Sequence, residues 1–215
     1  MSVAVIGTGN LGSRVARRLA DGGVEVVVAA NDLSSARDVA KGIGHGVRAV
    51  EVEDAITGAD TVVFATWLAT TKDLIAQHAA QLANKIVVDP SNNIGPDGSG
   101  GFKSLNPEGV SAGQQLAAEV PPGARYVKAF GTLPAEMLES TATESGDTPV
   151  LFYATDDDVA GDTVAKLIAA AGFEPVSAGG VEATSRIEMF GDLHPFGGLN
   201  GRLIGRDEAL QLLRG

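Results

Sequence analysis

The chain has 215 residues, 44% of them hydrophobic, and a formal net charge of −11. That composition suits one compact α/β body, or a main body with a small appendage, and excludes a disordered chain. The acidic balance leaves no basic footprint for nucleic acid or an anionic membrane. With no cysteine, disulfides, thiolate nucleophiles and cysteine-bound metals are excluded as well. No apolar run reaches the roughly 18 residues that span a bilayer, and no basic stretch precedes Val3-Ala4-Val5-Ile6, so a cytoplasmic protein is expected.

In chain order, Val3 to Ile6 reads as a buried parallel strand that stops at Gly7. A helix follows from Leu11, with Val15, Leu19 and the Ala16/Ala20 pair inward and Arg14, Arg17 and Arg18 outward. Asp21-Gly22-Gly23 ends it. Val24 to Ala30 is the second strand and Ala36 to Lys41 a short helix. Val47 to Val50 reads as a third strand, Glu53 to Thr57 as a small helix and Thr61 to Ala65 as a fourth strand. Thr71 to Leu82 is predicted helical, and Lys85 to Val88 is a strand closed by Asp89-Pro90. Residues 91–112, rich in Gly, Ser, Asn and Pro, read as one long loop.

Regular structure resumes with a helix over 113–120, a strand from Tyr126 to Phe130 and a helix from Pro134 to Glu139. Val150 to Ala154 is a strand, and Asp156 or Asp157 caps a helix from about Val159 to Ala171. Turn and strand follow over 172–176. Alternating strands and helices predict a Rossmann-type doubly wound parallel sheet with right-handed crossovers. A dinucleotide-binding half, residues 1–125, would carry a smaller α/β portion, residues 126–215, that completes the cleft and a subunit interface.

The loop Gly7-Thr8-Gly9-Asn10-Leu11-Gly12 matches the pyrophosphate-binding pattern in its required setting, after a strand and opening a helix. The first glycine allows the turn, the second close approach of the phosphates and the third tight helix–strand packing. Asp32 lies twenty residues beyond Gly12, where an acidic side chain accepts the ribose 2′-hydroxyl of NAD. The alternative reading is a helix cap or a solvated loop carboxylate. Asn31 sits beside it, and Arg37 is the nearest cation for a 2′-phosphate.

Thr66, Trp67 and Leu68 follow the fourth strand, at the edge where ligands bind in such sheets. Trp67 has two roles open to it, stacking on a ring or packing under the next helix. Asn92 has the amide to hold a nicotinamide carboxamide, or to shape a loop.

The three histidines, His45, His78 and His194, are too scattered for a metal site, and none is expected. His78 falls in a helical pattern and reads as a surface or interface residue. His194 lies in the apolar, glycine-rich stretch Gly191 to Gly198, which either closes over a substrate or, the preferred reading, forms a subunit interface. The run Asp156-Asp157-Asp158 reads as a helix N-terminus rather than a cation site.

The glycine loop, the segment Tyr126-Val127-Lys128-Ala129-Phe130-Gly131-Thr132-Leu133-Pro134-Ala135, the Asp156–Asp158 run and Ala170-Ala171-Gly172-Phe173 leading to Ser177-Ala178-Gly179 fall in one order. Together they resemble the NADP oxidoreductases that use coenzyme F420, a deazaflavin, and the related oxidoreductase domains of metalloreductases, to about residue 190. The resemblance implies a dimeric Rossmann protein with NADP(H) on Gly7 to Gly12. The deazaflavin or a flavin would face the nicotinamide near residues 67–68 and 130–134, which adds Gly131, Thr132, Leu133 and Pro134 to the candidate cleft.

Two positions depart from the family. Asn31, Asp32 and Leu33 stand where members carry Ser-Arg or Arg-Arg for the 2′-phosphate, so NAD competes with NADP as the nucleotide. Gly131 replaces an Asn or His and is expected to widen the cleft. The expected activity is hydride transfer between NAD(P) and a deazaflavin or flavin. The rival readings are a non-catalytic NAD(P) sensor and a small-substrate NAD(P)-dependent reductase.

Overall fold

The computed structural model describes residues 2–214. The first half runs β1 (Ser2–Ile6), α1 (Asn10–Asp21), β2 (Glu25–Ala29), α2 (Leu33–Ile43), β3 (Arg48–Ala49), α3 (Val52–Gly58), β4 (Thr61–Phe64), α4 (Leu68–Gln77), α5 (Ala79–Leu82) and β5 (Ile86–Asp89). The second runs β6 (Ile94–Pro96), β7 (Phe102–Ser104), α6 (Ala112–Ala117), β8 (Arg125–Lys128), a 3-10 turn (Ala135–Glu139), β9 (Val150–Ala154), α7 (Asp158–Ala170), β10 (Glu174–Gly179), α8 (Thr184–Ile187) and α9 (Arg206–Arg214).

Eight strands form one sheet in the order β10-β9-β8-β5-β4-β1-β2-β3. The six from β3 to β8 are parallel, the order of a doubly wound nucleotide-binding sheet. At the far edge β9 meets β8 antiparallel through Lys128 and Ala154, and β10 runs parallel to β9. Residue 125 is the first residue of β8, so both portions of the chain share the sheet.

Side-chain alternation along the strands builds the two core layers. Val3, Val5, Val63, Val88 and Val127 face α1, α2 and α7. Ala4, Ile6, Val62, Phe64 and Val87 face α3 to α6. Because both faces are covered, the central strands are apolar at nearly every position. A third cluster, including Phe152, Val176, Ile187 and Leu199, seats the C-terminal segment on β9 and β10.

Several local expectations are corrected. The predicted helix over 71–82 starts earlier, at Leu68, and breaks at His78, whose backbone (φ −110°, ψ 23°) separates α4 from α5. His78 is buried rather than at the surface. The stretch 91–112 contains an antiparallel hairpin, β6 with β7. Its turn is closed by the Asp97 carboxylate, which accepts from the Ser99 and Gly101 amides. The predicted helix at Pro134 is a 3-10 turn, and β8 stops at Lys128, two residues short of the predicted end. Among the described residues no helix is long and apolar enough to cross a membrane.

Candidate functional site

Strands β1, β4, β5 and β8 all end at the same edge of the sheet, and the segments leaving them enclose a cleft of ≈ 670 Å³. From the glycine loop it is lined by Gly7, Gly9, Asn10 and Leu11, and from the β4 exit by Thr66 and Trp67. Asn92 follows β5 on its floor, and Gly131, Leu133 and Pro134 follow β8 along another wall. Thus ten residues named from the sequence converge on one space although 127 positions separate the first from the last, Gly7 from Pro134.

The loop has the construction an anionic group needs. Gly7 takes φ +99°, and a Cβ there would stand 2.4 Å from the Ala65 carbonyl oxygen. A Cβ at Gly12 would stand 1.9 Å from the Gly7 oxygen, so neither position admits a side chain without moving backbone. Gly9, by contrast, faces open space. It is the N-cap of α1, no side chain caps that helix, and no acidic residue occupies its first turn. The capping carboxylates Asp32 of α2 and Asp157 of α7 show what is missing here. The first amides of α1 and the positive end of its dipole therefore remain for a phosphate.

The remaining named residues fall elsewhere. Leu68 is the first residue of α4 and packs in the core. Thr132 is fully buried and its hydroxyl donates to the Phe152 carbonyl (3.1 Å), so it braces the cleft wall from behind. Thr8 is half-buried in the loop. Asn31, Asp32 and Arg37 lie at the surface after β2. Asp32 caps α2, with Oδ1 accepting from the Ser34 amide (2.9 Å) and hydroxyl (2.7 Å). Those bonds, the hydroxyl's first, hold its carboxyl below the usual range and keep it charged.

The structure narrows the two readings open to Trp67 and to Asn92, and overturns the one for Gly131. Trp67, the sole tryptophan, is 68% exposed at the cleft rim and does not pack under α4. Asn92 spends its amide on the protein: Nδ2 donates to the Gly131 carbonyl (2.8 Å) and Oδ1 accepts from the Met189 amide (2.7 Å). Gly131 does not widen the cleft. A Cβ on it would come within 1.8 Å of the Pro90 oxygen, so the glycine serves close backbone packing. Phe130 just before it holds φ +64°, a left-handed conformation that is costly for a bulky residue and here turns the chain into the wall.

Beneath the cleft lies a buried ion cluster. Lys128 Nζ contacts Asp89 Oδ2 (3.0 Å) and Glu188 Oε1 (3.2 Å) and donates to the Ser91 carbonyl. The Tyr126 hydroxyl donates to Asp89 Oδ2 (2.8 Å). Glu188 also accepts from the Ala112 and Gly113 amides (3.0 and 2.6 Å). Burial alone lowers the lysine's pKa, but Asp89 and then Glu188 outweigh it and push it up. Burial, followed by the Asp89 charge, keeps Tyr126 protonated far above neutrality. Lys128 is fully buried and bound on these sides, which makes it a tie between strands rather than a proton donor to the cleft.

The sequence offers the fourth wall only in part: the 191–198 segment reads as a cover over a substrate or, by preference, as an interface, while neither the hairpin nor Met189 is expected there. Ile94 and Phe102 of the hairpin line the cleft, as do Met189, His194 and Phe196. Hydrogen bonds inside the 191–201 segment, from Gly198 to the Gly191 carbonyl and from Gly201 to the Pro195 carbonyl, fold it into compact turns. The available signal was Phe102 and Phe196, bulky apolar residues in glycine-rich surroundings, both about half exposed.

Comparison with known proteins agrees with this architecture. Residues 2–93 match the family described as NADP oxidoreductase, coenzyme F420-dependent. No curated protein matches the chain. A solved hypothetical protein from Sinorhizobium meliloti is 31% identical, with 96% of each chain covered and a TM-score of 0.80. A protein from Arthrobacter sp. FB24, described as an F420-dependent NADP-reductase, is 26% identical over 85% of this chain and 86% of its own, with a TM-score of 0.74. A reductive aminase from Aspergillus terreus shares the fold at 16% identity and a TM-score of 0.61, with 85% of this chain matching 56% of the aminase. The family match across the glycine-loop half, with a 31% identical relative along nearly the full length, makes this chain a member of the coenzyme F420-dependent NADP oxidoreductase family.

Proposed function

We propose that the protein transfers hydride between a nicotinamide dinucleotide on the glycine loop and a deazaflavin or flavin ring seated in the adjoining cleft. The observation that carries this reading is the cleft itself, which runs from the uncapped end of α1 to the exposed aromatic side chains of Trp67, Phe102 and Phe196. Such a space suits two planar rings. The bound cofactors supply the redox chemistry. The chain's part is to hold the phosphates at Gly7 to Gly12, to limit water around the rings and to keep them in reach of each other.

Purified protein with NADPH or NADH is expected to reduce the deazaflavin, or riboflavin, at a rate that depends on nucleotide identity. Nucleotide binding without reduction of either acceptor would sink the reading and favour the sensor alternative. A dimer is part of the same proposal and is checked by sedimentation.

Asp32 bears on the choice of nucleotide. A charged carboxylate after β2 accepts the ribose diol of NAD and repels a 2′-phosphate. Asp32→Asn keeps a capping side chain on α2 while removing the charge. Titration calorimetry is expected to show NAD binding weakened roughly tenfold or more relative to NADP. An unchanged ratio would place Asp32 in the helix cap alone.

A further inference from the structure

The cleft's polar equipment narrows what its second occupant can be. Among the described residues no Lys or Arg lines it, and the one carboxylate on its lining is that of Glu136, which is exposed and accepts from Asn10 Nδ2 (2.9 Å). A carboxylate-bearing substrate would find no counter-ion. A neutral side chain on the cleft walls, His194, offers an unused donor. His194 is 2% exposed, and its Nδ1 accepts from the Phe196 amide (3.0 Å), which assigns the ring proton to Nε2. Among the described residues nothing accepts that Nε2–H, and the atom is not sealed off, so an occupant of the cleft can reach it. The Ser91 hydroxyl also lacks a partner, but it is sealed beneath the surface and out of an occupant's reach. A donor left unpaired on a cleft wall calls for a ligand or water to complete it.

We propose that His194 Nε2–H binds the second substrate, an uncharged conjugated ring, at the heteroatom on which negative charge gathers as hydride arrives. This rests on the hydride-transfer reading above. In the step, the C4–H bond of the dihydronicotinamide breaks and its electron pair forms a new bond to hydrogen on the acceptor ring. The nicotinamide is oxidised and the acceptor reduced. The displaced π pair settles on the ring heteroatom facing His194, which then takes a proton from water. The imidazole is neutral near pH 7, because burial lowers its pKa to about 4. It therefore stabilises this charge as a hydrogen-bond donor, and does not deliver a proton as imidazolium.

The test compares wild type, His194→Phe and His194→Gln, with riboflavin and its 5-deaza analogue as acceptors and Trp67 fluorescence as the binding readout. His194→Phe is expected to lower kcat about a hundredfold, with the Kd for nucleotide unchanged and the fold retained at pH 8. His194→Gln, which restores an N–H donor, should recover to within about tenfold of wild type. Equal kcat for wild type and His194→Phe would overturn the proposal. If wild type reduces neither acceptor, the hydride-transfer reading is what fails, and His194 is judged by riboflavin quenching of Trp67. Weaker binding in His194→Phe then keeps its recognition role, and equal binding removes it.

Discussion

Replacing Lys128 with alanine is expected to lower the unfolding free energy by about 3–5 kcal/mol. The cluster is already net negative, since one ammonium serves two carboxylates, Asp89 and Glu188, and all three side chains are buried. Without the ammonium, Asp89 keeps only the Tyr126 hydroxyl and the Ser91 amide, and Glu188 keeps the two amides of α6 and a long contact to Asn106. Two like charges then face each other in a region of low dielectric. The substitution also removes the donor that holds the Ser91 carbonyl on the cleft floor.

Lys128→Met, which keeps the stem, should be nearly as damaging, because the unpaired carboxylates and not lost packing dominate. Adding Asp89→Asn and Glu188→Gln to Lys128→Met should restore part of the loss by removing both charges. Urea unfolding at pH 7 measures all of these. A cost below about 1 kcal/mol for Lys128→Met, or no recovery in the triple variant, would show that the cluster is not an ionic tie.

This role shows where the sequence is informative and where it is not. The order of strands and the glycine loop were legible because their signals are local: apolar runs bounded by glycine, and a motif within six residues. The Lys128–Ala135 segment was legible only as a resemblance, since its residues act across distance. Lys128 reaches Asp89 39 positions away, and Thr132 reaches Phe152 20 positions on. The fourth cleft wall depends on still longer pairings, Met189 with Asn92 across 97 residues and Glu188 with Gly113 across 75. No periodicity encodes such contacts.

Gly131 and Asn92 illustrate the same limit from the other side. A missing side chain reads as open space and a free amide reads as a ligand contact. In the fold, backbone fills the first, and two backbone partners take up the second. Asp32 is different again, because capping α2 engages Oδ1 and leaves the charge exposed, so the two meanings read from the sequence are compatible.

Acid is expected to destabilise the protein through His194 well before most carboxylates titrate. Burial lowers the imidazole's pKa from about 6.5 to about 4, with no charged neighbour contributing. Above pH 6.5 the ring is neutral in both folded and unfolded chains, so it exerts no pH-dependent penalty there. As pH falls from 6.5 to 4 the unfolded chain binds a proton that the folded chain refuses, and stability declines with it. The loss saturates below pH 4 at about 3 kcal/mol, the free energy of the whole shift.

Asp32, Asp60, Asp97 and Glu136 also have lowered values and add an acid loss of their own, but it is common to wild type and variant. The informative quantity is therefore the stability of wild type minus that of His194→Phe, from urea unfolding at successive pH values. It should rise by roughly 2–3 kcal/mol between pH 4.5 and 7 and be level above that. A difference flat across the range would mean that the cleft admits enough water to solvate the imidazolium. The donor assigned to His194 would then be a titrating group, and the hydride step should vary with pH near 6.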